Sequence, residues 1–270
     1  MAVRVILTVL VLALVGFPCW VIATESGPSN TVGFWKMNVY QGYNHVSFPL
    51  LPEDQTVNNV LGDQLTGGAT QGESDQVLRW DASTGQYQIC WYNSSTGNWQ
   101  GGFSTFSEAE SYWIYVPSNH PTQQTVVTYG NVVEESSFDM GVMIPGYNAV
   151  GSVWATSASI ANAGLTGFQG GMYLFLSDLI MNYDANSGDY TYAWKTDGGI
   201  WQGSLNSFEP LKGYWLYIAP GHTGFDWSDY PQPIGGMLNG TPQGSFNNNP
   251  APFSSPMIPP PLPAVKGGAK

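Results

Sequence analysis

The chain has 270 residues and a net charge of −12, with 43% hydrophobic, 14% aromatic and only 10% charged residues. Seven basic residues against nineteen acidic ones argue against nucleic acid and anionic membranes as partners, since both require cationic patches. The aromatic content excludes a disordered chain, and two cysteines are too few for a disulfide scaffold.

In chain order, Arg4 precedes an apolar run from Val5 to Ala23 that ends in small or β-branched residues. This pattern predicts a secretory signal peptide over residues 1–23. An uncleaved anchor is the alternative, because the run is just long enough to span a bilayer. Cleavage leaves six basic and nineteen acidic residues, and Cys90 as the one remaining thiol. No second apolar run of that length follows, so no membrane contact is expected of the mature chain. Residues 24–33 are a short N-terminal segment.

Residues 34–132 read as a first β module. Trp35, Met37 and Val39 alternate with polar neighbours, as do Val46, Phe48 and Leu50, and later Val126 and Thr128. Alternation of this kind marks half-buried strands. A short helix is expected over 54–61, capped by Asp54. Ser83-Thr84-Gly85 lies between two strand-like runs, and its glycine supplies the positive φ of a hairpin. Cys90 sits in one such run, and its later counterpart is Ala193, so it reads as a small buried filler.

Residues 133–230 repeat this order at an offset of 102 to 104. Gly42-Tyr43-Asn44 returns as Gly146-Tyr147-Asn148, and Ser74–Asp81 as Ser177–Asp184. Trp99-Gln100-Gly101 returns as Trp201-Gln202-Gly203, and Tyr112–Val116 as Tyr214–Ile218. The hairpin recurs around Asn186-Ser187-Gly188, and a second short helix is expected over 157–163, capped by Ser157. The expected fold is therefore all-β: two tandem β-sandwich or partly open barrel modules, each with one short helix. Residues 231–270 follow as a proline-rich tail with ten prolines, two lysines and no acid. Its prolines favour an extended conformation, and Phe246, Phe253, Met257, Ile258 and Leu262 make it a candidate docking arm, with a flexible linker or a wall-spanning stalk as the alternative.

The order Gly-Tyr-Asn, Ser-Phe-Pro-Leu-Leu-Pro, Asp-Gln-Val-Leu-Arg-Trp-Asp and Tyr-Trp-Ile-Tyr-Val resembles a repeat module of secreted bacterial surface proteins. The resemblance spans roughly residues 34 to 230. It implies an extracellular β-rich building block without family catalytic residues. Tyr43 and Tyr147 stand where that pattern has Trp, and the Ser-Phe-Pro-Leu stretch has no match in the second module.

The two copies diverge most at one place. Ala69-Thr70-Gln71-Gly72-Glu73 aligns with Met172-Tyr173-Leu174-Phe175-Leu176, a change from small or polar to large and apolar at five positions. Such a patch must cover something the first module lacks: the other module, another subunit, the tail or a membrane surface. No active site is evident, and no enzyme, cofactor or metal is expected. His120 and His222 occupy equivalent turns and read as repeated loop architecture. Asp184–Asp189 has alternating oxygen ligands but lacks the distal glutamate of a calcium loop. Trp91, Trp99, Trp113 and their counterparts read as fold anchors. The unmatched Trp154 and Trp227 are candidate glycan contacts, and Asn93 and Asn239 head glycosylation sequons.

These features lead to one primary expectation: a secreted, non-catalytic subunit of an extracellular filament, tubule, sheath or surface layer. It would associate with itself through Met172–Leu176 and the tail. The alternative is a secreted carbohydrate-binding or adhesion protein with extracellular polysaccharide as its partner.

Overall fold

The computed structural model describes residues 32–133 and 135–233. The predicted signal peptide, the tail from residue 234 onward with its five named apolar residues, and Asn239 lie outside the described residues. Among the described residues, no helix is long and apolar enough to cross a membrane.

The first module runs β1 (Val32–Tyr40), β2 (Gly42–Ser47), α1 (Val57–Leu61), β3 (Gln76–Asp81), β4 (Gln86–Asn93), β5 (Asn98–Gly101), β6 (Ser111–Val116) and β7 (Gln123–Asn131). Five strands form an antiparallel sheet in the order β2-β6-β3-β4-β5, while β1 and β7 pair as a separate ribbon. The second module repeats the sheet with β10 (Gly146–Gly151), β16 (Gly213–Ile218), β12 (Leu179–Asp184), β13 (Asp189–Lys195) and β14 (Trp201–Gly203), in that order. Its counterpart of the ribbon is broken into two-residue pairs. These are β8 (Ser137–Phe138) with β18 (Tyr230–Pro231), and β9 (Val142–Met143) with β17 (Phe225–Asp226). A further short pair joins β11 (Ala158–Ser159) to β15 (Ser207–Phe208). The fold is all-β, as the alternating pattern predicts, and the described sheets are open rather than closed into barrels.

Each repeated motif has the same structural task in both copies. Gly42 and Gly146 turn at φ of 90° and 98°. Asn44 then braces the chain, its Oδ1 accepting from Tyr40 N at 2.9 Å and its Nδ2 donating to Tyr40 O at 2.7 Å. Asn148 makes the same two bonds to Ile144, at 3.0 and 2.8 Å. Gly101 and Gly203 also have positive φ, and a Cβ at either would strike the backbone oxygen of Ile89 or Tyr192. The two hairpins close as expected, with Gly85 N donating to Asp81 O and Gly188 N to Asp184 O, both at 2.8 Å.

The helix expectations need correction. The first helix is Val57–Leu61, capped by Thr56, whose side chain accepts from Asn59 N; Asp54 instead accepts from Thr56 N one turn earlier. The second is a single 3-10 turn, Ile160–Asn162, preceded by Ser159 without a side-chain cap. Three ordered residues offer too few free N–H groups to require one.

The central strands β6 and β16 are buried on both faces, which explains their nearly continuous apolar runs. Tyr112, Ile114 and Val116 of β6 join the core of the first module, with Val77, Cys90 and the helix residues Val57, Val60 and Leu61. Cys90 is thus a buried filler, and burial raises its thiol to about 11. Tyr214, Leu216 and Ile218 of β16 join the second core. The residues between them turn the other way. Trp113, Leu78, Trp215, Leu179, Met181 and Trp194 form a third cluster, a seam between the two sheets.

The seam has an approximate two-fold symmetry. Ser47 N donates to Leu211 O at 3.0 Å, and its counterpart Gly151 N donates to Ala109 O at 2.8 Å. Trp113 packs on Tyr183 of the other module at 5.3 Å, as Trp215 packs on Trp80 at 5.7 Å. One contact breaks the symmetry. His45 stacks on Trp113 at 4.3 Å and 5° and bonds Ser111 Oγ at 2.8 Å, whereas its counterpart is Ala149. Room for the ring comes from Gly213, the counterpart of Ser111, where a Cβ would lie 2.4 Å from His45 Cδ2.

Two predictions follow from the seam. Gly213→Ser should destabilise the chain by about 1–3 kcal/mol, the usual cost of overpacking, and His45→Ala should recover part of that loss. A double-mutant cycle by urea denaturation reads the coupling; additive effects would show that the two positions do not share this space. Burial also lowers the His45 imidazole from 6.5 to about 3. The unfolded chain takes up a proton as pH falls through about 6.5 while the folded chain does not, so stability drops by about 1.4 kcal/mol per pH unit from there towards 3. Between pH 6 and 4, His45→Ala should lose less stability than the parent chain.

Candidate functional site

The turn that differs most between the copies is built the same way in both. In the first module, buried Asp75 accepts from Thr66 N at 2.7 Å, from Gln124 Nε2 at 2.7 Å and from His120 Nδ1 at 2.7 Å. In the second, buried Asp178 accepts from Gln169 N at 2.7 Å, from Ala219 N at 2.9 Å and from His222 Nδ1 at 2.7 Å. An ionised carboxylate can only accept, so each imidazole carries its hydrogen on Nδ1. These pairs tie the turn after the Tyr-Trp strand to the start of the neighbouring strand. His120 and His222 are loop architecture, as their equivalent positions imply, but their acidic partners escaped the sequence reading.

From this anchor the chain closes a single 3-10 turn, Gln71–Glu73 in one copy and Leu174–Leu176 in the other. The flanking residues Thr70 and Tyr173 have φ of −132° and −133°, and Ser74 and Ser177 have φ of −116° and −114°. Ser74 Oγ donates to Thr70 O at 2.8 Å, and Ser177 Oγ to Tyr173 O at 2.9 Å. Gly68 and Gly171 are required here, since a Cβ on either would sit 2.5 Å from the oxygen of Glu73 or Leu176.

The backbone is therefore indifferent to the five side chains between glycine and serine. In the second module they are Met172, Tyr173, Leu174, Phe175 and Leu176. Leu174 packs against the aromatic cluster of the seam. The other four are between 49% and 65% exposed, and Tyr173 and Phe175 lie parallel, 5.5 Å apart at 4°. Four large apolar side chains held together in solvent reach the few hundred Å² at which exposed patches mark a contact site.

The expected glycan contacts are not surface features. Trp154 and Trp227 are both buried in the second core, where Trp227 donates to Ala163 O at 2.8 Å. Both fill the second core, so neither ring can stack on a sugar. Asn93 lies at a hairpin end, its Oδ1 accepting from Ser95 N at 2.9 Å. Two clefts flank the seam at equivalent places. One, of about 570 Å³, is lined by Asn182, Tyr183, Glu209 and Lys212; the other, of about 680 Å³, by Arg79, Trp80, Glu110 and Asp139. In the first, Lys212 pairs with Glu209 at 2.6 Å, and in the second Arg79 donates to Gln88 at 2.7 Å. Among the described residues, no group of three or more His, Cys, Asp or Glu is placed to hold a metal ion. No protein-family model, curated protein or solved structure matches the chain.

Removing the anchor tests its role. Asp178→Ala leaves one buried donor, Ala219 N, and two half-buried donors, Gln169 N and His222 Nδ1, without their acceptor and should cost about 2–4 kcal/mol. Hydrogen exchange should then quicken at Leu176 and Ser177, whose N–H groups close the turn. Unchanged exchange there would show that the turn is held by other means.

Proposed function

We propose that this protein is a secreted, non-catalytic structural subunit that associates with copies of itself outside the cell. One observation carries this reading: the exposed apolar side chains at Met172, Tyr173, Phe175 and Leu176 stand on a backbone that the first module builds equally well with Ala69, Thr70, Gly72 and Glu73. Folding does not need them, and their exposure to water is unfavourable unless a partner covers them.

Three features support the reading. The repeated motifs are used up in turns, braces and packing. The Asp–His pairs, the strongest acid–base candidates, close a turn in both copies instead of facing a cleft. The resemblance of the repeat blocks to secreted bacterial surface modules points the same way, as does the leader-like start. Carbohydrate binding is the second reading; with Trp154 and Trp227 buried, it would rest on the clefts beside Tyr183 and Trp80.

Returning the turn to the residues of the first module tests the main reading. A variant carrying Met172→Ala, Tyr173→Thr, Phe175→Gly and Leu176→Glu should melt within a few degrees of the parent, because the substituted side chains are mostly in solvent. By sedimentation and electron microscopy, the parent should form multimers and the variant should not. A parent that stays monomeric at high concentration would sink the proposal.

A further inference from the structure

Beside the exposed apolar turn of the second module, the first module presents an apolar surface of a different kind. The ribbon of β1 and β7 is nine residues long on each strand, with Phe34 opposite Tyr129 and Lys36 opposite Val127. Its inner face places Met37, Val39 and Val126 in the core. Its outer face presents Val32, Phe34, Val127 and Tyr129, and Phe34 is 77% exposed. In the second module the equivalent ribbon is interrupted at Gly141, which turns at φ of 80° with its N–H on Asp139 Oδ1.

The edges of this ribbon are treated unequally. Gln64 covers β7, its Oε1 accepting from Val127 N at 2.6 Å and its Nε2 donating to Val127 O at 3.1 Å. Asn44 covers the last residue of β1. Antiparallel strands direct alternate residues outward, so Val32, Phe34, Lys36 and Asn38 direct backbone groups away from β7. Among the described residues, β1 borders only β7. Natural sheets guard their edges, and a long apolar edge left open marks a pairing surface.

Charge indicates the occupant. The ribbon carries Lys36 and no other charged residue, whereas residues 133–230 hold ten acidic residues and two lysines. A cationic, apolar ribbon on an acidic protein suits the acidic module of another copy better than a second ribbon. The approximate two-fold contact is already consumed within the chain, so the surfaces left over are unlike. Contact between unlike surfaces propagates from copy to copy.

We propose that the outer face of the β1–β7 ribbon of one copy docks on the Met172–Leu176 turn of the next, giving a head-to-tail polymer. This rests on the self-association reading and names its two contacting surfaces. Phe34→Glu disables the ribbon and Phe175→Glu disables the turn; both side chains are exposed, so melting temperatures should match the parent. In mass photometry and analytical ultracentrifugation of the full chain, the parent forms a ladder of oligomers. Each variant alone should need at least tenfold more protein to associate. Mixed in equal amounts, the intact turn of one should meet the intact ribbon of the other and stop at a dimer. If Phe34→Glu assembles like the parent while Phe175→Glu does not, the turn has another partner and the head-to-tail pairing is wrong, although self-association stands. A mixture that remains monomeric also refutes the pairing. A parent that never assembles overturns both readings.

Discussion

The aromatic seam between the two five-stranded sheets is the contact on which the rest of the molecule depends. Each sheet has one face on its own core and the other on the opposite sheet. Without the seam, Trp113 and Trp215 would be stranded in water, and truncating either should forfeit the 3–5 kcal/mol typical of a buried tryptophan. The seam also positions the distinctive turn, because Leu174 reaches into it while its four apolar neighbours do not. The exposed patch is therefore supported from below by the same packing that joins the modules.

Much of this was legible from residue patterns, and the reasons are local. Positive-φ glycines, bracing asparagines and hairpin tips act within a few residues, so Gly42-Tyr43-Asn44 and Asp81–Gln86 announce themselves. The duplication was visible because these motifs recur in order. The seam was harder to read. Tyr112–Val116 is apolar throughout, and a continuous run cannot say what covers its second face. Asp75 and Asp178 were hidden among many acids, since their task appears only when a distant histidine turn arrives. Trp154 and Trp227 were misread because lack of a counterpart in the other copy is not a sign of exposure; both fill the second core. Phe34 did leave a signal: it falls out of phase with Trp35, Met37 and Val39, on the face turned away from the core.

The repeated residues serve the fold, and the residues that differ between copies alter the surface. This division follows from how duplicated modules change. Bracing bonds such as those of Asn44 and Asn148 leave little tolerance for drift, whereas a turn whose side chains bear no load can acquire a new face without disturbing its backbone. The interrupted ribbon and the apolar turn are two such departures, both in the second module.

The imidazole at position 45 and the glycine at position 213 have a consequence for the order of the halves. Two copies of the first half facing each other would bring a serine methylene against the histidine ring, and two copies of the second would set alanine across from glycine and leave a void. Only the mixed arrangement fits, and it is the one a single polypeptide supplies to itself. The misfit therefore discourages like halves of neighbouring molecules from pairing with each other, and it fixes the seam as a contact between unlike halves.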